Sequence, residues 1–140
     1  MINLPPQIMK KMCFHAEHLY PEECCGMLLG SHREGLITVH DAIEMASLEE
    51  VHRDQRYLLT PAQYSYAEKV ASELHVDLIG FYHSHPERKA VPSLYDLENA
   101  LPWFVYLIVA VYHQHSDERV TGWTLSENRQ RFDEQTMHIH

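Results

Sequence analysis

No apolar run in this 140-residue chain approaches the ~20 residues needed to cross a bilayer. The best candidate, residues 103–112, is followed directly by His113. Membrane insertion is therefore not expected. Basic residues are also scarce, with 11 Lys and Arg against 20 Asp and Glu and a net charge of −9. The basic residues are scattered, so nothing resembles the cationic face that neutralises phosphates, and nucleic acid is not an expected partner. Cysteine is scarce and odd in number: Cys13, Cys24 and Cys25 make no disulfide framework, and a reducing cytoplasm is the expected compartment. The first residues lack a charged segment leading into an apolar one, so no signal peptide is expected. Lipidation motifs, internal repeats and low-complexity tracts are absent as well.

What remains is an ordinary globular composition, 45% hydrophobic and 22% charged. The length suits one domain with a real core. Ile8, Met12, Ala16 and Leu19 recur at helical spacing, so residues 5–19 read as a helix with Pro6 in its first turn. Residues 25–29 form a short apolar run closed by Gly30 and read as a buried strand. Residues 36–42 alternate and read as a second strand, and residues 51–59 carry a weak strand pattern. Thr60-Pro61-Ala62-Gln63 is a helix start, with Thr60 as cap, and the helix should reach Leu74. Residues 76–82 read as an apolar strand running into His83, residues 93–100 as a short helix stopped by Pro102, and residues 103–112 as a central strand. Residues 119–125 should pair with it across a polar turn at 113–118, and residues 129–132 add a last strand. This order predicts a mixed α/β fold: a single, mainly antiparallel sheet with helices on its faces. One domain is expected over residues 1–132, with a polar tail at 133–140.

Twelve histidines include three His-x-His pairs, and about one such pair is expected by chance. His113/His115 falls in a hairpin turn and His138/His140 in the tail, where solvated surface is the simpler reading. His83/His85 follows an apolar strand, and imidazoles two apart on a strand can face one ion. Pro86 turns the chain. Ser93 follows, then Asp96, close enough in sequence to fold back. Two imidazoles, one carboxylate and a water in the fourth position form a recurrent catalytic zinc set. Ser93-Leu94-Tyr95-Asp96 also reads as a capping box, and the two roles are compatible.

His83-Ser84-His85-Pro86, six residues, Ser93, two residues and Asp96 resemble the JAMM motif, H-[ST]-H-P-x6-S-x2-D, of the JAB/MPN metallopeptidases. Pro21-Glu22-Glu23-Cys24-Cys25-Gly26-Met27-Leu28-Leu29-Gly30 is similar to that family's upstream P-x-E-x-C-G-x-L-x-G segment. The resemblance extends over about residues 5–126 and implies an MPN/JAB, cytidine deaminase-like architecture with a curved sheet. It implies His83, His85 and Asp96 as ligands of one Zn2+ per chain, Glu23 as general base and Ser93 as donor to the oxyanion. Glu22 is the competing glutamate; in an extended segment it points opposite to Glu23. Iron or manganese could also occupy such a set.

Cys25 reads as a small buried residue rather than a nucleophile, and Gly26 and Gly30 as close-approach and turn positions. Trp103, Phe104, Tyr106 and Trp123 read as packing residues. In the family, the polar stretch 47–54 borders the groove for the substrate tail. The short chain resembles stand-alone prokaryotic members. Their implied substrate is a ubiquitin-like or sulfur-carrier protein cut after a C-terminal Gly-Gly tail, which can add to a sheet edge as a strand. Two alternatives stand beside this: a non-catalytic MPN-type binding scaffold, and a zinc hydrolase of small amides. The signature of zinc deaminases is absent.

Overall fold

The computed structural model describes residues 1–46 and 61–140, with backbone only at 116–119. Its first element is one that no periodicity announces. Ile2–Leu4 (β1) is a three-residue strand that buries Ile2 and Leu4. Pro6 then opens α1 (Pro6–Leu19), its fixed φ suiting a first turn whose N–H would have no helical partner. Ile8, Met12 and Ala16 form the buried stripe, as their spacing predicts, but Leu19 at the helix end is exposed.

β2 (Cys25–Arg33) and β3 (Leu36–Met45) form a hairpin whose turn, Glu34 and Gly35, has positive φ at both residues. β2 runs past Gly30, which is therefore not a turn. A Cβ there would lie 1.9 Å from the Thr38 carbonyl oxygen, beside a register shift between Leu29 and Gly30, so the glycine permits a close approach of two strands. The expected strand at 51–59, the Thr60 cap and the polar stretch 47–54 lie outside the described residues.

α2 (Pro61–Glu73) buries Ala67 and Ala71. β4 (Asp77–Pro86) continues through both histidines rather than ending at Tyr82, because His83, Ser84 and His85 are buried and all three pair with β5, His83 with β2 as well. α3 (Leu94–Asn99) is the crossover that lets β5 (Val105–Tyr112) run parallel to β4. Trp103 precedes β5, packs edge-on against Phe104 and is 64% exposed, so it lies outside the core, whereas Phe104 and Tyr106 are buried. β6 (His115–Leu125) starts earlier than its alternation suggests. The connecting turn is only His113 and Gln114, both at positive φ. β7 (Phe132–Gln135) and β8 (Met137–Ile139) follow. The expected polar tail at 133–140 is thus mostly strand; β8 pairs in parallel with β1, Ile2 opposite Met137 and Leu4 opposite Ile139.

The eight strands among the described residues make one mixed sheet in the order β7-β6-β5-β4-β2-β3-β1-β8. Four neighbouring pairs are antiparallel, and β4–β5, β1–β3 and β1–β8 are parallel. α1 covers one face, where Met12 and Ala16 join Leu28, Val39, Leu107 and Val109. Ala67 and Ala71 of α2 join Met27, Leu29, Phe81, Phe104 and Tyr106 in a second core. Central strands covered on both faces read as continuous apolar runs, which is the pattern of β5.

Candidate metal centre

Side chains alternate along β4. Tyr82 and Ser84 face the α1 side, while Phe81, His83 and His85 face the other. Two bonds tie this strand end to the start of β2. The Cys24 N–H donates to Ser84 Oγ at 2.8 Å, and the Ser84 N–H donates to the Cys24 carbonyl at 3.1 Å. Ser84 thus points away from the histidines and braces the backbone.

The same ladder positions Glu23. Cys25 pairs with His83 in antiparallel register, so two residues further out position 23 falls across from position 85, on the same face. Glu23 is buried and Glu22 is exposed. A Glu23 carboxylate oxygen and one nitrogen from each of His83 and His85 lie within 4.8 Å of one another. Arg88 Nη2 donates to Glu23 Oε1 at 2.8 Å.

Asp96 comes from α3. Its Oδ2 accepts from the Ser93 N–H at 2.8 Å, and Ser93 Oγ accepts from the Asp96 N–H at 3.1 Å, so the capping box forms as its spacing predicts. That cap holds the carboxylate in place. Asp96 Oδ2 is 3.2 Å from Nε2 of His83 and 3.2 Å from Nε2 of His85, and the two Nε2 atoms are 3.1 Å apart. Both histidines are 1% exposed.

The donor set suits a cation. His85 Nδ1 sits 2.9 Å from the Lys89 carbonyl, which only accepts, so Nδ1 carries a proton and Nε2 is the nitrogen turned toward His83 and Asp96. Three ligand atoms around one tetrahedral ion at ~2.0–2.1 Å are roughly 3.3 Å apart, close to the spacing found here. Burial lowers the His83 pKa against the pull of Asp96, keeping a lone pair available. Burial pushes the Asp96 carboxyl up, but His83, His85 and the Ser93 N–H outweigh it and hold the group well below the usual carboxylate range. These residues fit a divalent ion bound by two imidazoles and a carboxylate.

Among the described residues, the other histidine pairs are not gathered in this way. His113 is 87% exposed at its side chain, 3.7 Å from Glu87. His138 of β8 and His140 just beyond it are exposed and stack with centroids 4.4 Å apart. The Cys24 and Cys25 thiols are buried, which pushes both up to about 12. Thiols so protonated are poor nucleophiles at neutral pH, in keeping with a packing role for Cys25. Arg88 and the Lys89 carbonyl had no sequence signal. The nearest hint is that both lie in the loop between His85 and Ser93.

A mixed sheet that ends a buried His-x-His strand against the capped start of a helix, with a glutamate across the ladder, defines an α/β protein with a candidate metal centre at a strand end. The chain belongs to the family described as prokaryotic homologs of the JAB domain, which matches residues 5–126. A desampylase from Haloferax volcanii is 35% identical over 114 residues, 79% of this chain and 76% of that protein. Among solved structures, a protein from Salinibacter ruber superposes with a TM-score of 0.76 at 34% identity, covering 100% of this chain and 92% of its own. A protein from Desulfitobacterium hafniense gives 0.85 at 24% identity, with coverage of 100% and 93%. A JAB1/MPN domain protein from Archaeoglobus fulgidus gives 0.62 at 18% identity, with coverage of 99% and 98%. The last two likenesses concern the fold alone.

Proposed function

We propose that this protein is a zinc-dependent metallopeptidase. Its proposed reaction is hydrolysis of the peptide or isopeptide bond after the C-terminal Gly-Gly of a ubiquitin-like or sulfur-carrier protein. The observation that carries the reading is the meeting of His83 Nε2, His85 Nε2 and Asp96 Oδ2 within 3.2 Å of one another, with the Glu23 carboxylate beside them. Family membership and a relative named desampylase support the substrate class.

His83, His85 and Asp96 would hold the ion, whose chemistry is to make water acidic enough to attack at neutral pH. Glu23 is assigned as base rather than ligand because Arg88 engages its Oε1, whereas Asp96 reaches both imidazoles at 3.2 Å. Glu23 takes a proton from the attacking water and delivers it to the departing nitrogen. The water oxygen bonds to the carbonyl carbon of the terminal glycine, the C–N bond breaks, and the free amine leaves. In the cap, Ser93 Oγ uses a lone pair and not its hydrogen, so the hydroxyl can donate to the carbonyl oxygen as charge develops there. Glycines in the tail let its backbone approach so enclosed a site.

The test is cleavage of a ubiquitin-like protein extended beyond its Gly-Gly, followed by mass spectrometry. The zinc-loaded protein should cut after the second glycine, and Glu23→Gln should retain zinc while slowing the cut by ~10² or more. Full activity in Glu23→Gln would place the base elsewhere.

A further inference from the structure

A cavity of about 130 Å³ lies against the proposed centre, with His83 and Asp96 in its wall. Four aromatic residues also line it: Tyr64 in α2, Tyr95 in α3, Tyr106 in β5 and Phe132 in β7. Among the described residues, no lysine or arginine lines it, and the one carboxylate is Asp96, already shared between two imidazoles and the Ser93 N–H.

The walls are preformed. The Tyr106 hydroxyl accepts from the Leu101 N–H at 2.7 Å, and Phe132 packs edge-on to Tyr106 with centroids 5.9 Å apart. Tyr64 packs edge-on to Phe81 at 5.0 Å. A rigid apolar cavity gains affinity because little must be ordered on binding. Its volume is near the ~150 Å³ that accepts a benzene molecule, so it holds one branched or aromatic side chain.

In the hydrolysis proposed above, the acyl side of the scissile bond ends in glycines and brings no side chain. The side chain next to the reacting atoms then belongs to the leaving amine. We propose that this cavity receives that side chain. It selects an α-linked leaving residue of Leu, Met or Phe size over charged residues. The inference rests on the proposed hydrolysis and names its leaving-group class. A charged side chain would surrender its hydration here without a free partner among the described residues. Alanine would leave the cavity unfilled.

The experiment has two arms. In the first, carrier tails ending Gly-Gly-Xaa are cleaved by the zinc-loaded protein, with Xaa varied over Phe, Leu, Ala, Lys and Asp. Phe and Leu should exceed Ala, Lys and Asp in kcat/KM by roughly 10- to 100-fold. Phe132→Ala should shrink the Phe-to-Ala ratio, a quantity unaffected by how much of the variant folds. In the second arm, L-phenylalaninamide, L-leucinamide and L-lysinamide are titrated into the metal-free protein. The first two should shift the ring resonances of Tyr106 and Phe132, and the third should not. A flat cleavage series, or rings that no amide shifts, overturns the pocket assignment while the proposed hydrolysis stands. Failure to cut any Gly-Gly substrate overturns the hydrolysis and removes the leaving-group role with it.

Discussion

Arg88 shows how a side chain outside every motif bears on the site. Its guanidinium, 38% exposed, reaches a Glu23 side chain that is 2% exposed. The charge-assisted bond fixes the position of this buried carboxylate. Arg88→Ala should therefore lower kcat by about tenfold, the equivalent of one charged hydrogen bond, with zinc content unchanged. Steady-state kinetics beside elemental analysis checks this; a loss of zinc instead would mean that Arg88 supports the ligands. The contact joins residues 65 apart, so local spacing could not reveal it. His83, His85, Ser93 and Asp96 were legible for the opposite reason, since one strand end and one helix start carry all four. The glutamate was legible only through its motif. The register from Cys25 opposite His83 now supplies a physical reason for choosing Glu23 over the exposed Glu22.

At the scale of elements, the site depends on the clasp between β2 and β4. Ser84 accepts the Cys24 N–H inside the protein, and a buried donor without its acceptor costs ~1–3 kcal/mol. Ser84→Ala should lower stability by that amount and Tm by roughly 5–10 °C, measured by thermal unfolding of the metal-free protein. An unchanged Tm would mean that the Ser84 Nα–Cys24 bond alone suffices. Gly26 serves the same seam. A Cβ there would lie 2.1 Å from the Tyr82 ring, which crosses β2 to meet His15 Nδ1 at 2.7 Å. Long elements announced themselves through periodicity: α1, α2 and β5 match their patterns closely. β1 and β8, three residues each, hold no periodic signal and exist because they pair with each other and β1 pairs with β3. β4 looked shorter than it is because His-Ser-His reads as polar, while its burial comes from strands and helices distant in sequence.

Across the whole molecule, two packed faces make stability depend on pH through His15. Burial lowers its pKa below 6.5, with Glu44 opposing and His18 assisting. The unfolded chain therefore binds the His15 proton more readily than the folded one, and stability rises with pH across that window. The contribution is complete above the unfolded value and is lost as pH falls toward the lowered folded value. Urea unfolding should show wild type losing more stability between pH 7.5 and pH 5 than His15→Gln; equal losses would remove His15 from the account. Among the described residues, no helix is long and apolar enough to cross a membrane. Sheet order was the least legible feature, since β8 closing beside β1 joins the two ends of the chain and no local pattern encodes it.

The most direct test of the proposed centre is zinc per chain by elemental analysis, with wild type, Asp96→Ala and His113→Ala prepared side by side. One zinc in wild type and in His113→Ala, with little in Asp96→Ala, is the predicted result. A wild type that holds no zinc and takes up none when it is supplied would contradict the account, and so would an Asp96→Ala variant that keeps its full complement.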